Sequence, residues 1–139
     1  MMSMATSKPK PKRKILIIDD EPALLDIYST QLNLAGGFEP ITADDGVRGM
    51  QLALKELPDL IVLDIMMPLK DGFEVLKDLK SRPVTRDIPV IILSNLGQQY
   101  EIKHGLSMGA ERYLVKADMS SDDLVNEIVS VFSEGEKKG

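Results

Sequence analysis

The sequence predicts a doubly wound α/β sandwich of three layers, with five parallel strands in the order 2-1-3-4-5. Three observations predict it. Apolar runs of strand length alternate with amphipathic helical stretches from residue 14 to residue 133, and strict βα alternation with short loops implies parallel strands and right-handed crossovers. Several strands are almost continuously apolar, as in a sheet covered on both faces. Four of the five strands end in polar side chains, where an open parallel sheet places its ligands.

The elements follow in order. Lys14-Ile-Leu-Ile-Ile18 is the first strand and runs into acids. Pro22 opens a helix with Leu24, Tyr28, Leu32 and Ala35 on one face, and Gly36-Gly37 ends it by supplying left-handed backbone. Phe38 to Ala43 is the second, weaker strand. Val47, Met50, Leu54 and Leu57 mark the second helix, stopped by Pro58. Residues 59–63 form the third strand, ending at Asp64; a loop with Pro68 and Asp71-Gly72 leads to a helix through Phe73, Leu76 and Leu79. The fourth strand spans 88–93 and ends at Ser94; a helix over 98–108 follows and stops at Gly109. Residues 112–115 make the fifth strand, followed by Lys116. Asp118 to Ser121 offers caps for a last helix with Leu124, Ile128, Val131 and Phe132 on one face, and residues 134–139 read as a polar tail.

Composition sets limits. At 139 residues, 43% apolar and 28% charged, the chain has the size and balance of one globular domain. With no cysteine and a single histidine, His104, it offers neither a disulfide framework nor a thiolate or multi-histidine zinc site. His104 itself reads as a surface residue, and the eight methionines as start-region, loop and core residues. No apolar run approaches the ~20 residues of a membrane span, and no signal-like segment follows the N-terminus, so a cytoplasmic protein with no membrane insertion is expected. Residues 1–13 read as a basic, disordered tail with alternating lysine and proline. Residues 1–14 hold five of the 17 basic side chains and no acid, leaving 12 basic against 22 acidic in the body. A body so acidic repels nucleic acid, and direct DNA binding is not expected.

The predicted topology brings the end of strand one (Asp19, Asp20, Glu21) beside the end of strand three (Asp64) at the point where strand order reverses. Like charges crowded together raise their own pKa values and need a cation; hard oxygen donors without nitrogen or sulfur suit Mg²⁺. Strand four adds a hydroxyl, Ser94, and strand five an ammonium, Lys116. A carboxylate beside a metal, a hydroxyl and a lysine is what phosphoryl transfer onto that carboxylate requires.

Ile-Ile-Asp-Asp-Glu-Pro at 17–22, Asp-Ile-Met-Met-Pro-Leu-Lys-Asp-Gly at 64–72, Ile-Leu-Ser at 92–94 and Tyr-Leu-Val-Lys at 113–116 together resemble the receiver domains of response regulators in two-component systems. The resemblance covers residues 14–133 and implies a flavodoxin-like (βα)5 fold. It implies that Asp64 accepts a phosphoryl group from the phosphohistidine of a sensor histidine kinase or phosphotransfer protein. It implies Mg²⁺ held by Asp20 directly, by Asp19 mainly through water, by Asp64 and by the backbone carbonyl of Met66. Ser94 and Lys116 would contact the phosphoryl group, and Tyr113 would be the switch aromatic. A stand-alone receiver is expected, read by an unknown effector protein, with the chain catalysing transfer onto its own Asp64 rather than turning over a separate substrate.

Two positions depart from the family pattern. Ala117 replaces the usual proline after the lysine, where a cis peptide helps to aim it; a non-proline cis bond costs roughly 3–4 kcal/mol, so a trans bond with Lys116 still facing the site is expected. Asn95 stands where the family has a very small residue. Met66 and Leu96 are apolar where the attacking water would pass, so slow loss of the aspartyl phosphate is expected. A haloacid-dehalogenase-like phosphohydrolase would need an aspartate at Met66. A flavin module would need a glycine- or hydroxyl-rich loop where Asp19-Asp20-Glu21 stands. A degenerate, binding-only receiver fits poorly with the retained acids, Ser94 and Lys116.

Overall fold

The computed structural model describes residues 11–138. β1 (Arg13–Ile18), β2 (Phe38–Ala43), β3 (Leu60–Leu63), β4 (Val90–Ser94) and β5 (Arg112–Val115) alternate with α1 (Pro22–Ala35), α2 (Gly46–Glu56), α3 (Gly72–Ser81), α4 (Gln99–Ser107) and α5 (Ser121–Lys138); a 3₁₀ turn spans Lys116–Asp118. The strands form one parallel sheet in the order β2-β1-β3-β4-β5, as predicted.

Successive side chains in a strand face opposite ways, and the core divides accordingly. Ile15 and Ile17 point into a cluster with Leu25 and Leu32 of α1 and Ile128 of α5. Leu16 and Ile18 point into a second cluster with Ala53 of α2 and Leu76 and Leu79 of α3. Both faces are therefore dry, which is why the strands carry so few polar residues. A strand rather than a helix forms at each run because the runs are short, β-branched and bounded by turns.

The register is what positions the site. Ile18 stands opposite Leu63, so Asp19 and Asp64 leave adjacent strands at the same height. Leu63 stands opposite Ile92 and Ser94 opposite Val115, so Ser94 and Lys116 emerge beside them.

Local chemistry sets the boundaries. The Asp45 carboxylate caps α2 by accepting from Arg48 N at 2.7 Å. Asp71 and Glu74 form a reciprocal capping box at α3. At α5, Ser120 Oγ accepts from Asp123 N and Ser120 N donates to Asp123 Oδ2. α2 stops where Pro58 excludes continuation, with Leu57 in left-handed backbone at φ 45°.

Three expectations change. β1 begins at Arg13, one residue before the predicted start of the domain; the rest of the predicted tail, through residue 10, lies outside the described residues. Residues 134–138, predicted as a tail, continue α5: Glu134 pairs with Arg112 and Glu136 with Arg13, whose guanidinium lies 4.0 Å over the Phe132 ring. Those contacts give the last turns a reason to stay wound. Third, α2 is rotated about its axis relative to the predicted face. Val47, Leu54 and Leu57 are exposed, while Gly46, Gly49, Leu52 and Ala53 are buried with Met50. The reason is close approach: a Cβ on Gly49 would lie 2.6 Å from Ile18 Cδ1, so the glycine side presses on the sheet and the larger side chains turn away. In α1, likewise, Leu25 is buried and Ala35 exposed.

The loop from β3 to α3 is held by an ion-pair clamp. Leu69 takes a left-handed φ of 70°, which costs a non-glycine residue roughly 1–2 kcal/mol. Lys70 Nζ reaches back to Asp78 Oδ2 at 2.7 Å, and Arg82 Nε takes the other oxygen at 2.8 Å. Hydrogen bonds from Lys70 and then Arg82 hold the Asp78 carboxyl below the usual carboxylate range. A depressed folded-state value means the stabilisation is present above the unfolded value and is lost as pH falls through the folded one. Asp78→Asn is expected to lose about 1 kcal/mol at pH 7 and to converge on the parent in acid, below the ordinary carboxylate range. Urea denaturation at both pH values checks it; equal stability at pH 7 would remove the clamp from the account.

Candidate functional site

Each site residue follows a strand end. Asp19 leaves β1 with its N–H bound to the Ala43 carbonyl at 3.1 Å, and its Oδ1 accepts from Glu21 N at 2.9 Å. Asp64 leaves β3 with its N–H bound to the Ile18 carbonyl at 2.9 Å, and its Oδ1 accepts from Ile65 N at 2.8 Å. Both are buried, whereas Asp20 between them is exposed. Carboxylate oxygens of Asp19, Asp20 and Asp64 all lie within 4.8 Å of one another.

Lys116 closes the group. Its Nζ lies 2.8 Å from Asp19 Oδ2, 3.1 Å from Glu21 Oε2 and 3.2 Å from Asp64 Oδ2. The described residues contain no cis peptide, so Lys116–Ala117 is trans and the ammonium still turns into the site, as expected. Ala117 lies at the centre of the short 3₁₀ turn at Lys116–Asp118.

The electrostatics follow from burial. Desolvation raises the Asp64 carboxyl above its ordinary value, against the opposing pull of Lys116, the Ile65 N–H and the Ser94 hydroxyl. Desolvation raises Asp19 as well, with the Asp64 charge adding to it and Lys116 and the Glu21 N–H resisting. Burial alone would lower Lys116, but hydrogen bonds and charge from Asp19, Asp64 and Glu21 outweigh it and lift it above its ordinary value. Two buried carboxylates that desolvation pushes upward, with an exposed third acid beside them, form a donor set that a divalent cation would satisfy. All its donors are hard oxygens, which suits Mg²⁺ over zinc.

Ser94 is fully buried at the end of β4, where its Oγ accepts from Leu96 N at 3.2 Å. Tyr113, half-buried on β5, donates its hydroxyl to the Leu96 carbonyl at 2.6 Å. That hydroxyl and Ser94 thus anchor the same β4–α4 loop. The Tyr113 ring lies against Gly105 of α4: a Cβ there would meet its Cδ2 at 2.8 Å.

Asp20, Glu21, Asp64, Met66, Asn95 and Lys116 line a cleft of about 230 Å³, smaller than the roughly 300–1,000 Å³ of drug-sized ligand sites. The structure therefore brings Asp19, Asp20, Asp64, Met66, Ser94 and Lys116 to one end of the sheet, with Tyr113 one loop away. A larger cleft of about 440 Å³, bordered by Arg13, Asp59, Asp87, Glu111 and Phe132, lies at the opposite end of the sheet. Sequence reasoning set Glu21 among the converging acids but did not foresee its contact with Lys116, and it gave no role to Gly105. His104 is exposed as expected and packs edge-on against Phe73, with ring centroids 4.7 Å apart.

The sequence profile described as "Response regulator receiver domain" matches residues 15–129. The chain belongs to that family. This receiver domain is 46% identical over 103 residues to the "DNA-binding dual master transcriptional regulator RpaA" of Synechocystis sp., covering 74% of this chain and 42% of that protein. It is 39% identical over 126 residues to the "Probable transcriptional regulator ycf27" of Porphyra purpurea, covering 91% of this chain and 50% of that one. The receiver domain thus spans half or less of the length of these curated relatives. Among solved structures it resembles a CheY-like receiver domain protein from Methanospirillum hungatei, with a TM-score of 0.82, 29% identity, and coverage of 92% and 99% of the two chains. No helix among the described residues is long and apolar enough to cross a membrane.

Proposed function

We propose that this receiver domain takes a phosphoryl group onto Asp64 from the phosphohistidine of a sensor histidine kinase or phosphotransfer protein, and that an effector protein reads the result. The observation that carries the reading is a buried ammonium, Lys116, bridging two buried carboxylates, Asp19 and Asp64, at the edge of a solvent-open cleft.

The Ile65 N–H on Oδ1 fixes the Asp64 carboxylate, and Oδ2, which Lys116 contacts at 3.2 Å, is the oxygen that attacks phosphorus. Lys116 neutralises charge on the transferred oxygens, and the Ser94 hydroxyl donates to one of them. Asp19, Asp20, Asp64 and the Met66 carbonyl would hold Mg²⁺, which supplies charge neutralisation as the phosphoryl group moves between oxygens and nitrogen. Ser94 and Tyr113 share the loop at Leu96, so a shift of the serine toward the phosphoryl group alters the tyrosine's acceptor; that supports Tyr113 as the coupling residue. The domain modifies itself and turns over no separate substrate. The DNA binding named for the cyanobacterial relative is not assigned to these residues.

The test is intact-mass spectrometry of the wild type and Asp64→Asn after incubation with acetyl phosphate and Mg²⁺. One phosphoryl group on the wild type and none on the variant is expected. Equal modification of both would overturn the assignment.

A further inference from the structure

We propose that Glu21 is a positioning residue that competes with the incoming phosphoryl group for the Lys116 ammonium, and so restrains phosphorylation of Asp64 by small anionic donors. The proposal rests on Asp64 being the acceptor.

A lysine ammonium has three N–H donors, and here three carboxylates stand at 2.8, 3.1 and 3.2 Å from it. Two of the three are fixed. Asp19 and Asp64 have side chains 3% and 5% exposed, each tied to a neighbouring backbone N–H. Glu21 is 51% exposed and hangs on a longer, rotatable stem. It occupies the N-cap position of α1, where its backbone carbonyl accepts from Leu24 N and Leu25 N, but its side chain makes no capping hydrogen bond, so no bond to the helix holds the carboxylate in place. It also borders two clefts at once, one shared with Asp64 and Met66 and one shared with Leu24, Ile27 and Met119. Of the three partners, it is the one that can leave.

During transfer from acetyl phosphate an Asp64 oxygen forms a bond to phosphorus. The phosphorus–oxygen bond to acetate breaks, and acetate departs with the electron pair. The carboxylate's single negative charge becomes an acyl phosphate of about two. Lys116 must then direct a hydrogen at a phosphoryl oxygen, while Glu21 remains both a rival acceptor and a like charge. Swinging Glu21 into solvent is the way out that disturbs no buried group.

The experiment compares wild type, Glu21→Gln and Asp26→Asn at low ionic strength with Mg²⁺, following phosphorylation by intact mass. Asp26 is an exposed acid on the same helix and controls for net charge. Glu21→Gln is expected to react about fivefold faster with acetyl phosphate, the effect of one solvent-screened unit charge a few ångströms away. The gain should be smaller with phosphoramidate, a less negatively charged donor, and should shrink in salt; Asp26→Asn should match the wild type. Equal rates for wild type and Glu21→Gln overturn the proposal, as does equal acceleration by both variants. An unmodified wild type, or a modified Asp64→Asn, would instead strike at the acceptor assignment.

Discussion

Lys116→Ala is expected to lower the melting temperature of the magnesium-free protein by about 10 °C or more. The side chains of Lys116, Asp19 and Asp64 are 8%, 3% and 5% exposed. Removing one partner of a buried ion pair costs roughly 3–5 kcal/mol because the remaining charge is stranded; here two carboxylates are stranded. Burial already holds both above their ordinary values, and loss of the cation moves them further up. For an acid, a raised folded-state value gives stability that is fully present below the unfolded value and lost as pH rises through the folded one. The deficit should therefore be largest at neutral pH and shrink toward the ordinary carboxylate range, and Mg²⁺ should recover part of it. Circular-dichroism melts between pH 5 and 8, with and without Mg²⁺, provide the check. A variant melting within a degree or two of the parent at neutral pH would mean that Lys116 does not neutralise the cluster.

Gly72→Ala should be nearly as damaging, for a steric reason. A Cβ at Gly72 would stand 2.1 Å from the Asp64 carbonyl oxygen and 2.7 Å from Ile65 Cα. Both are backbone atoms, so no rotamer change relieves the clash. The Gly72 N–H also donates to the Ile65 carbonyl at 2.9 Å, clamping the start of α3 against the end of β3. An added methyl must push the two apart, at a cost of about 3 kcal/mol, the upper end of ordinary overpacking, and must shift Asp64 with them. Slower phosphorylation should accompany the lost stability. Gly135→Ala is the control: nothing lies within 4 Å of its Cβ position, and alanine in an exposed helix gains about 1 kcal/mol over glycine. Urea unfolding and acetyl phosphate labelling measure both. If Gly72→Ala behaved like Gly135→Ala, the close approach at the site would have no energetic meaning.

The strand order and the grouping of carboxylates at one end of the sheet were legible because they rest on signals spanning the whole chain. Buried parallel strands leave long apolar runs, and a parallel sheet must deliver Asp19, Asp64, Ser94 and Lys116 to one end. Helix orientation was less legible. In α2, reading Val47 and Leu54 as core assumed that the largest apolar residues face inward, whereas Gly46, Gly49 and Ala53 set how closely the helix approaches β1. The end of α5 was missed because Glu134 and Glu136 look like a polar tail until Arg112 and Arg13 are known to lie beneath them. The pairing of Glu21 with Lys116 escaped for a similar reason: the two are 95 residues apart, and no local pattern announces the contact.

At Gly105, a hydrogen atom stands where any other residue would place carbon against Ile92 and the Tyr113 ring. The aromatic edge therefore rests directly on the spine of α4, with no side chain as a cushion between them. A residue with a side chain at this place would force the ring, Ile92 or the helix to give way.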